Sequence, residues 1–360
     1  MSLFDLDRNQ MTQYLAGEPK FRHAQLWDGI YRNLAFAHEQ TNLPKALRAK
    51  LSEIPEMQPG LYERQTLFGD GKNTLKTLYE LSDGREIESV LMRYRDRVTL
   101  CVSSQAGCAM GCVFCATGHA GFFRHLTKGE ILEQVFYGAR RARDLFGQRL
   151  SNIVFMGMGE PMANFENVLG AAQLMSFEFG ISARHITIST VGIIPGIRKL
   201  AEQPMPVSLA VSLHAANDIK RSRLVPINSR YPIGDLMAAL EFFKQHSTRR
   251  ISFEWAMMAD INDGPEDASE LAELALTIGA HVNLIPLNPT PLWPYPGSDS
   301  QTVHAFRERL IGLGVNATIR KNRGNQIAAA CGQLLTQQKE RRSNVKLLAR
   351  VDPPSPDRSE

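Results

Sequence analysis

Four of the chain's five cysteines fall within fifteen residues, Cys101, Cys108, Cys112 and Cys115, in the stretch CVSSQAGCAMGCVFC. The last three have the spacing C-x3-C-x2-C. That is too short and asymmetric for a zinc site built from paired C-x2-C hooks. It suits a loop in which three thiolates grip three irons of a four-iron cubane and leave the fourth iron open. An open iron can bind a substrate or cofactor, so the spacing points to chemistry more than to a structural staple. The plainer reading is a zinc site completed by a ligand from elsewhere. Cys331 stands apart in AAACGQL, and by itself reads as a small buried hydrophobe. An odd cysteine count with four crowded together is not a disulfide framework; it fits a reducing cytoplasm with metal-binding or catalytic thiols.

From Val98 onward the pattern that must position these thiols is a regular alternation of strands and helices. VTLCVS reads as a strand running into the cysteine loop. Thr127 and Glu130 form a capping box before a helix whose apolar residues Ile131, Leu132, Val135, Phe136, Ala139 and Ala142 share a face. Strand-like runs NIVFMGM, HITIST, VSLAVSLH, ISFEWAMM, HVNLIPLN and NATIR follow, with helices expected around 165–179, 194–202, 233–245, 265–278 and 302–313. Six or seven such parallel βα units predict an α/β fold, a partial or full parallel (βα) barrel, with a doubly wound sheet as the alternative.

Active sites of parallel barrels gather at the C-terminal ends of the strands, and the unusual residues lie there. The strands end in the cysteine loop, in Gly157-Met158-Gly159-Glu160-Pro161, in Ser189-Thr190, in Ser212-Leu213-His214 and in Asn288-Pro289.

The first ~95 residues have a different texture. Basic and aromatic residues interleave over two or three short helices, where Phe21, Trp27 and Tyr31 read as the core of a small accessory unit. LKTLYELSDGREIESVLMRY then reads as a hairpin or meander turning at Asp83-Gly84. The expected division is an accessory unit over 1–95, to which the resemblance given below adds RNA binding, the barrel with the cysteine loop over 96–336, and a basic, then proline-rich, partly disordered tail over 337–360. His119 and His125 flank the cysteine loop and read as structural or RNA-facing.

Apolar content of 43% and charged content of 22% are ordinary for a globular protein with a sizeable core. No apolar run reaches the ~18 residues of a membrane span, and no secretory signal opens the chain. A soluble, cytoplasmic, monomeric protein is expected. The net charge of +4 says little about nucleic acid, but basic clusters at Arg140, Arg141 and Arg143, at Arg320, Lys321 and Arg323, and at Lys339, Arg341 and Arg342 could meet phosphates.

Taken together, the three-cysteine loop with Phe114 before its last cysteine and the GMGE turn resemble the radical-SAM superfamily. The stretches CVSSQAGC, GFFRHLT, FMGMGEP, SLHAANDIKRSRLVPIN, HVNLIPLNP and RGNQIAAACGQL, with FRHAQLWDGIYRN and TNLPKALRAKL near the N-terminus, resemble one family within it. That family is the dual-specificity adenine-C2 methyltransferases of 23S rRNA and tRNA, with the C8-methylating resistance enzymes as sisters. The resemblance covers roughly residues 20–336.

It implies a 4Fe–4S cluster on Cys108, Cys112 and Cys115, with S-adenosylmethionine held by Gly159, Glu160, Ser189, Ser212, Leu213, His214 and Asn288. Two S-adenosylmethionine molecules per turnover are implied. Cys331 would take a methyl group from the first by displacement. A 5′-deoxyadenosyl radical from the second would activate that S-methyl group for addition to the base. Cys101 would then attack the Cys331 sulfur, leaving a transient disulfide, and Glu88, thirteen residues before Cys101, would accept the C2 proton. C2 of adenine is too poor a nucleophile for simple displacement, which is why a radical is needed. The glycines of the GMGE turn would let the backbone approach the amino group of S-adenosylmethionine.

A flavodoxin-type electron donor is implied as well. The alternatives are C8 methylation and a radical-SAM reaction on a substrate other than RNA; GFFRHLT favours C2. One departure stands out: the acidic residues common in the family before AACGQL are Asn325, Gln326 and Ala328 here.

Overall fold

A computed structural model gives the fold and describes residues 2–288, 290, 293, 295–320, 323–329 and 332–334. Three short helices, α1 (Arg8–Gln13), α2 (Phe21–Tyr31) and α3 (Lys45–Ser52), open the chain. Strands β1 (Leu61–Gly69), β2 (Thr74–Leu81) and β3 (Glu86–Arg93) follow as an antiparallel meander. The β2–β3 turn falls at Asp83-Gly84, where Gly84 takes φ +74, a conformation that favours glycine. Strand β1 is absent from the sequence-based expectation: its middle, Tyr62 to Gln65, is exposed, so LYERQTLFG lacks the alternation that marks a half-buried strand.

Strand β4 (Val98–Cys101) pairs antiparallel with β3 and parallel with β7 (Asn152–Phe155). Between them lie a two-stranded ribbon, β5 (Gln105–Gly107) with β6 (Phe122–His125), the short helix α4 (Ala116–Ala120) and the long helix α5 (Lys128–Phe146). Both halves of the Thr127/Glu130 capping box form on α5, and Gly147 closes it in the left-handed conformation.

The alternation then runs α6 (Phe165–Phe177), β8 (Ile186–Thr190), α7 (Ile194–Ala201), β9 (Ser208–Ser212), α8 (Asp218–Leu224), α9 (Ile233–His246), β10 (Ile251–Met257), α10 (Pro265–Ile278), β11 (His281–Pro286), α11 (Ser300–Gly312) and β12 (Ala317–Ile319). All pairings from β4 through β7 to β12 are parallel. The sheet order β1-β2-β3-β4-β7-β8-β9-β10-β11-β12 does not close on itself. It is curled all the same: Met92, Thr99, Asn152, Thr187, Ser252 and Thr318, drawn from both ends of that order, line one interior cavity. A flat doubly wound sheet cannot bring them together. The gap between β12 and β1 is bridged by the segment 323–329, where Gly324 donates its N–H to Asp70 Oδ2 (2.9 Å).

The meander therefore continues the barrel's sheet across residue 95, and the N-terminal helices pack against its outer helices. Phe4 lies 5.6 Å from Tyr31 and 5.3 Å from Phe136 of α5. Glu133 of α5, fully buried, accepts from Ser2 Oγ (2.7 Å) and from the N–H groups of Gly60 (2.8 Å) and Leu61 (3.1 Å). Burial pushes its carboxyl up to about 7. Trp27 and Tyr31 are core, as expected, but Phe21 is 61% exposed, because the first residue of α2 lies beyond the packed face. Among the described residues no helix is long and apolar enough to cross a membrane.

Candidate active site

The loop between β5 and α4 brings Cys108, Cys112 and Cys115 to one wall of a cavity at the C-terminal ends of the parallel strands. The cavity and its open mouth together hold about 1030 Å3 of empty space. Gly111, at φ +66, lets the loop turn between two of the thiols. Burial raises the Cys108 thiol to about 12 and pushes Cys112 well above the ordinary thiol range, and the neighbouring Cys115 raises both further. Thiols held protonated in this way suit a cationic group that converts them to thiolates.

Facing the cysteines, the same cavity is lined by Gly159, Glu160, Ser189, Ser212, His214 and Asn288. These come from four different strand ends, as the sequence reading expects. Glu160 is fully buried and accepts from the N–H groups of Met162 (2.9 Å) and Val191 (2.9 Å). Burial nevertheless raises it to about 7, against the pull of those bonds. Its own N–H donates to Gln105 Oε1 (2.9 Å). Glu160 thus ties the β7 loop to the β8 loop as well as facing the cavity.

His214 stands at φ +61, a left-handed position uncommon for a residue with a side chain. Its Nδ1 accepts from Ala256 N–H (3.0 Å) and its carbonyl accepts from Asn262 Nδ2 (2.8 Å). Burial lowers its pKa to about 3. The imidazole is therefore neutral, and an occupied Nδ1 leaves the proton on Nε2. Phe114 meets the ring edge-on at 4.8 Å.

Two expectations change. Leu213 does not line the cavity: its side chain is fully buried in the core, its N–H donates to Glu254 O and its carbonyl accepts from Arg221 Nε. The glycines of the GMGE turn have another reason as well. A Cβ on Gly157 would meet Val102 O at 2.7 Å, and one on Gly159, at φ +98, would meet the Gln105 side chain at 2.5 Å. The close approach of the β7 turn to the β4–β5 segment demands glycine there, whatever binds above it.

Two of the three residues expected to carry group transfer, Glu88 and Cys101, lie outside that cavity's lining. Glu88 and Cys101 point to the same face of the sheet, since Cys101 pairs with Val90, two residues along β3 from Glu88. Glu88 is 4% exposed and pairs with Lys76 Nζ at 3.0 Å. Cys331 lies outside the described residues, but its neighbours are placed. Gly332 and Leu334 line the cavity, the Gly332 carbonyl accepts from Ala116 N–H (2.8 Å), and the Leu334 carbonyl accepts from Thr117 Oγ1 (2.6 Å). Pro289, Lys321 and the cluster Lys339, Arg341 and Arg342 also lie outside the described residues.

Several contributors escape sequence reasoning. Glu254, on β10, lines the cavity and accepts from Asn283 Nδ2 (2.8 Å), with Arg320 Nη1 3.7 Å away. An acidic residue inside the apolar run ISFEWAMM was the available signal. Arg320 read as part of a phosphate-facing cluster and instead lines the cavity. Arg221, fully buried, holds the β8 and β9 loops together by donating to Val191 O (2.6 Å), Leu213 O (3.2 Å) and Asn228 Oδ1 (2.7 Å). Arg140 and Arg141 pair with Glu39 and Glu63, and Arg143 with Asp144, so this basic cluster is spent largely on ion pairs within the protein.

Residues 102–275 match the Radical SAM superfamily, and residues 1–57 match the ribosomal RNA large subunit methyltransferase N-terminal domain. A protein of Chloroflexus aurantiacus named "Probable dual-specificity RNA methyltransferase RlmN" is 45% identical over 92% of this chain and 92% of its own. One of the same name from Corynebacterium efficiens is 46% identical over 93% of each. The crystal structure of a radical SAM methyltransferase from Sphaerobacter thermophilus superposes with a TM-score of 0.89 at 45% identity, covering 93% of this chain and 99% of that one.

Proposed function

Because the chain belongs to the radical-SAM dual-specificity RNA methyltransferase family, we propose that it methylates C2 of an adenine in 23S rRNA and in tRNA, and that Cys331, Cys101 and Glu88 carry the transfer. The observation that carries this reading is the cavity itself. Three clustered cysteines form one wall, polar strand ends form the other, and Gly332 and Leu334, near Cys331 in sequence, line it too.

Cys108, Cys112 and Cys115 would hold the 4Fe–4S cluster, which when bound supplies the one-electron reduction of S-adenosylmethionine that begins radical chemistry. Ser189, Ser212, Asn288 and the Nε2–H of His214 would orient S-adenosylmethionine by hydrogen bonds, a reading supported by their lining one cavity, and a neutral His214 adds no charge to repel its sulfonium. Glu160 fixes the turn whose backbone faces the same space. Leu213 would serve only through the position of its neighbours. Cys331 would take a methyl group by thiolate displacement and later hold the base as a thioether. Cys101 would release it by attacking the Cys331 sulfur, and Glu88 would take the C2 proton. The base must leave any stack to reach this depth, so loosely structured RNA is the expected form of the substrate.

The remaining parts of the reading are an RNA-binding role for the N-terminal unit, two S-adenosylmethionine molecules per turnover, a flavodoxin-type electron donor, a monomer and a cytoplasmic setting. The test is an anaerobic assay of the reconstituted wild type and Cys331→Ala on 23S rRNA, read by nucleoside mass spectrometry. Wild type should yield 2-methyladenosine and Cys331→Ala none. 8-Methyladenosine from the wild type, or undiminished product from Cys331→Ala, would overturn the reading.

A further inference from the structure

The meander carries a contact that no step above uses. Lys76 Nζ lies 3.0 Å from Glu88 Oε1 and 3.2 Å from the carbonyl oxygen of Ala328, three residues before Cys331. Lys76 is itself buried, so one ammonium joins a buried carboxylate on β3 to the segment that leads to the other reactive residue. Six residues before Lys76, the same meander holds the segment again: Asp70 Oδ2 accepts from Gly324 N–H (2.9 Å) and from Thr74 Oγ1 (2.6 Å). Packing reinforces the seat. A Cβ on Gly324 would meet Ala329 Cβ at 2.6 Å, and one on Gly69 would meet Ile327 at 3.3 Å. With Asn325, Gln326 and Ala328 in this stretch, the segment brings no carboxylate of its own to the ammonium.

A buried carboxylate without a cation takes up a proton and is lost as a base. A neighbouring ammonium keeps it ionised, and the same ammonium, through the Ala328 carbonyl, fixes how far the chain before Cys331 stands from it. We propose that Lys76 is a positioning residue for methyl transfer: it keeps Glu88 ionised to receive the C2 proton and holds the Cys331 segment in register with it. Lys76 forms no covalent bond. The C2 proton passes to a Glu88 oxygen, and the electron pair of that C–H bond stays with the base. The proposal rests on the roles given above to Glu88 and Cys331.

The test compares reconstituted wild type, Lys76→Met, Lys76→Arg, Glu88→Gln and Cys331→Ala on the same RNA. Three quantities are read: methylation of Cys331 by peptide mass spectrometry, covalent protein–RNA adduct on denaturing gels, and 2-methyladenosine. Lys76→Met should form methyl-Cys331, accumulate adduct as Glu88→Gln does, and turn over about tenfold or more slowly. Lys76→Arg, which keeps the charge and a donor, should restore most turnover. A merely structural lysine would lower all three readouts together and trap no adduct. If Glu88→Gln traps adduct while Lys76→Met turns over like the wild type, or fails without adduct, the Lys76 role is wrong. If Glu88→Gln turns over normally, or Cys331→Ala still makes product, the reading beneath it is wrong instead. Should Lys76→Met not fold, Lys76→Gln carries the same comparison.

Discussion

The cavity wall made by strand ends and the wall that β3 forms with the segment 323–329, outside that cavity, are built on different principles. The first, proposed to hold the cofactor, comes from the ends of parallel strands, and backbone groups hold its Glu160 and His214 side chains. Glu160 is fixed by two N–H groups and His214 by one, while Arg221 collects carbonyls from two loops. The second, proposed to meet the base, comes from antiparallel β3 and from a segment with little regular structure, held by side chains: Asp70 on Gly324 and Lys76 on Ala328. The first arrangement is rigid before any ligand arrives. The second can be released by breaking a few hydrogen bonds, as would suit a segment whose cysteine is proposed to meet S-adenosylmethionine, a base and Cys101 in turn.

Substitutions should respect that division. The largest effect is expected from Cys112→Ala. Iron content should fall, and both reductive cleavage of S-adenosylmethionine and RNA methylation should drop below detection. By contrast Lys76→Met should spare the iron and the cleavage while arresting transfer; equal loss of cleavage in both would erase the distinction between the walls. Gly159→Ala comes next. The new Cβ would sit 2.5 Å from the Gln105 side chain at φ +98, so a destabilisation of about 2–3 kcal/mol is expected from strain and overpacking together. Calorimetry would measure it, and a normal melting temperature would show that the turn is more pliant than the first wall requires.

The smallest effect concerns neither wall. The Glu133 carboxyl is raised to about 7 by burial, so the folded protein holds its proton where the unfolded chain has released it. Its contribution to stability is full below the ordinary carboxyl range and is lost as pH rises through about 7. Thermal melts from pH 5 to pH 8 should show that decline, and Glu133→Gln should flatten it while lowering stability overall, because three donors then face an amide.

The first wall was largely legible in the sequence. Cysteine spacing and polar residues at strand ends are local signals, and a parallel barrel sends strand ends to one place. The second wall was legible only through family resemblance, which singled out Glu88, Cys101 and Cys331 but not Lys76 or Asp70. Their partners lie 252 and 254 residues away, and a lysine in a strand reads as a solvated edge until its neighbours are known. Distance also hid the pairing of Arg140 and Arg141 with Glu39 and Glu63, 101 and 78 residues off. Strand β1 went unseen because its exposed middle breaks the alternation.

That exposed middle protects the molecule. Strand β1 ends the sheet order, and beyond the part met by the segment 323–329 it presents Glu63, Arg64 and Gln65 with a bulge at Glu63/Gln65, features that discourage another chain from pairing there. Strand β4 has no such defence: Val98, Thr99, Leu100 and Cys101 are all buried. A chain cut at residue 95 would expose that apolar strand as a template for aggregation, and light scattering on such a fragment should show self-association that the intact protein avoids.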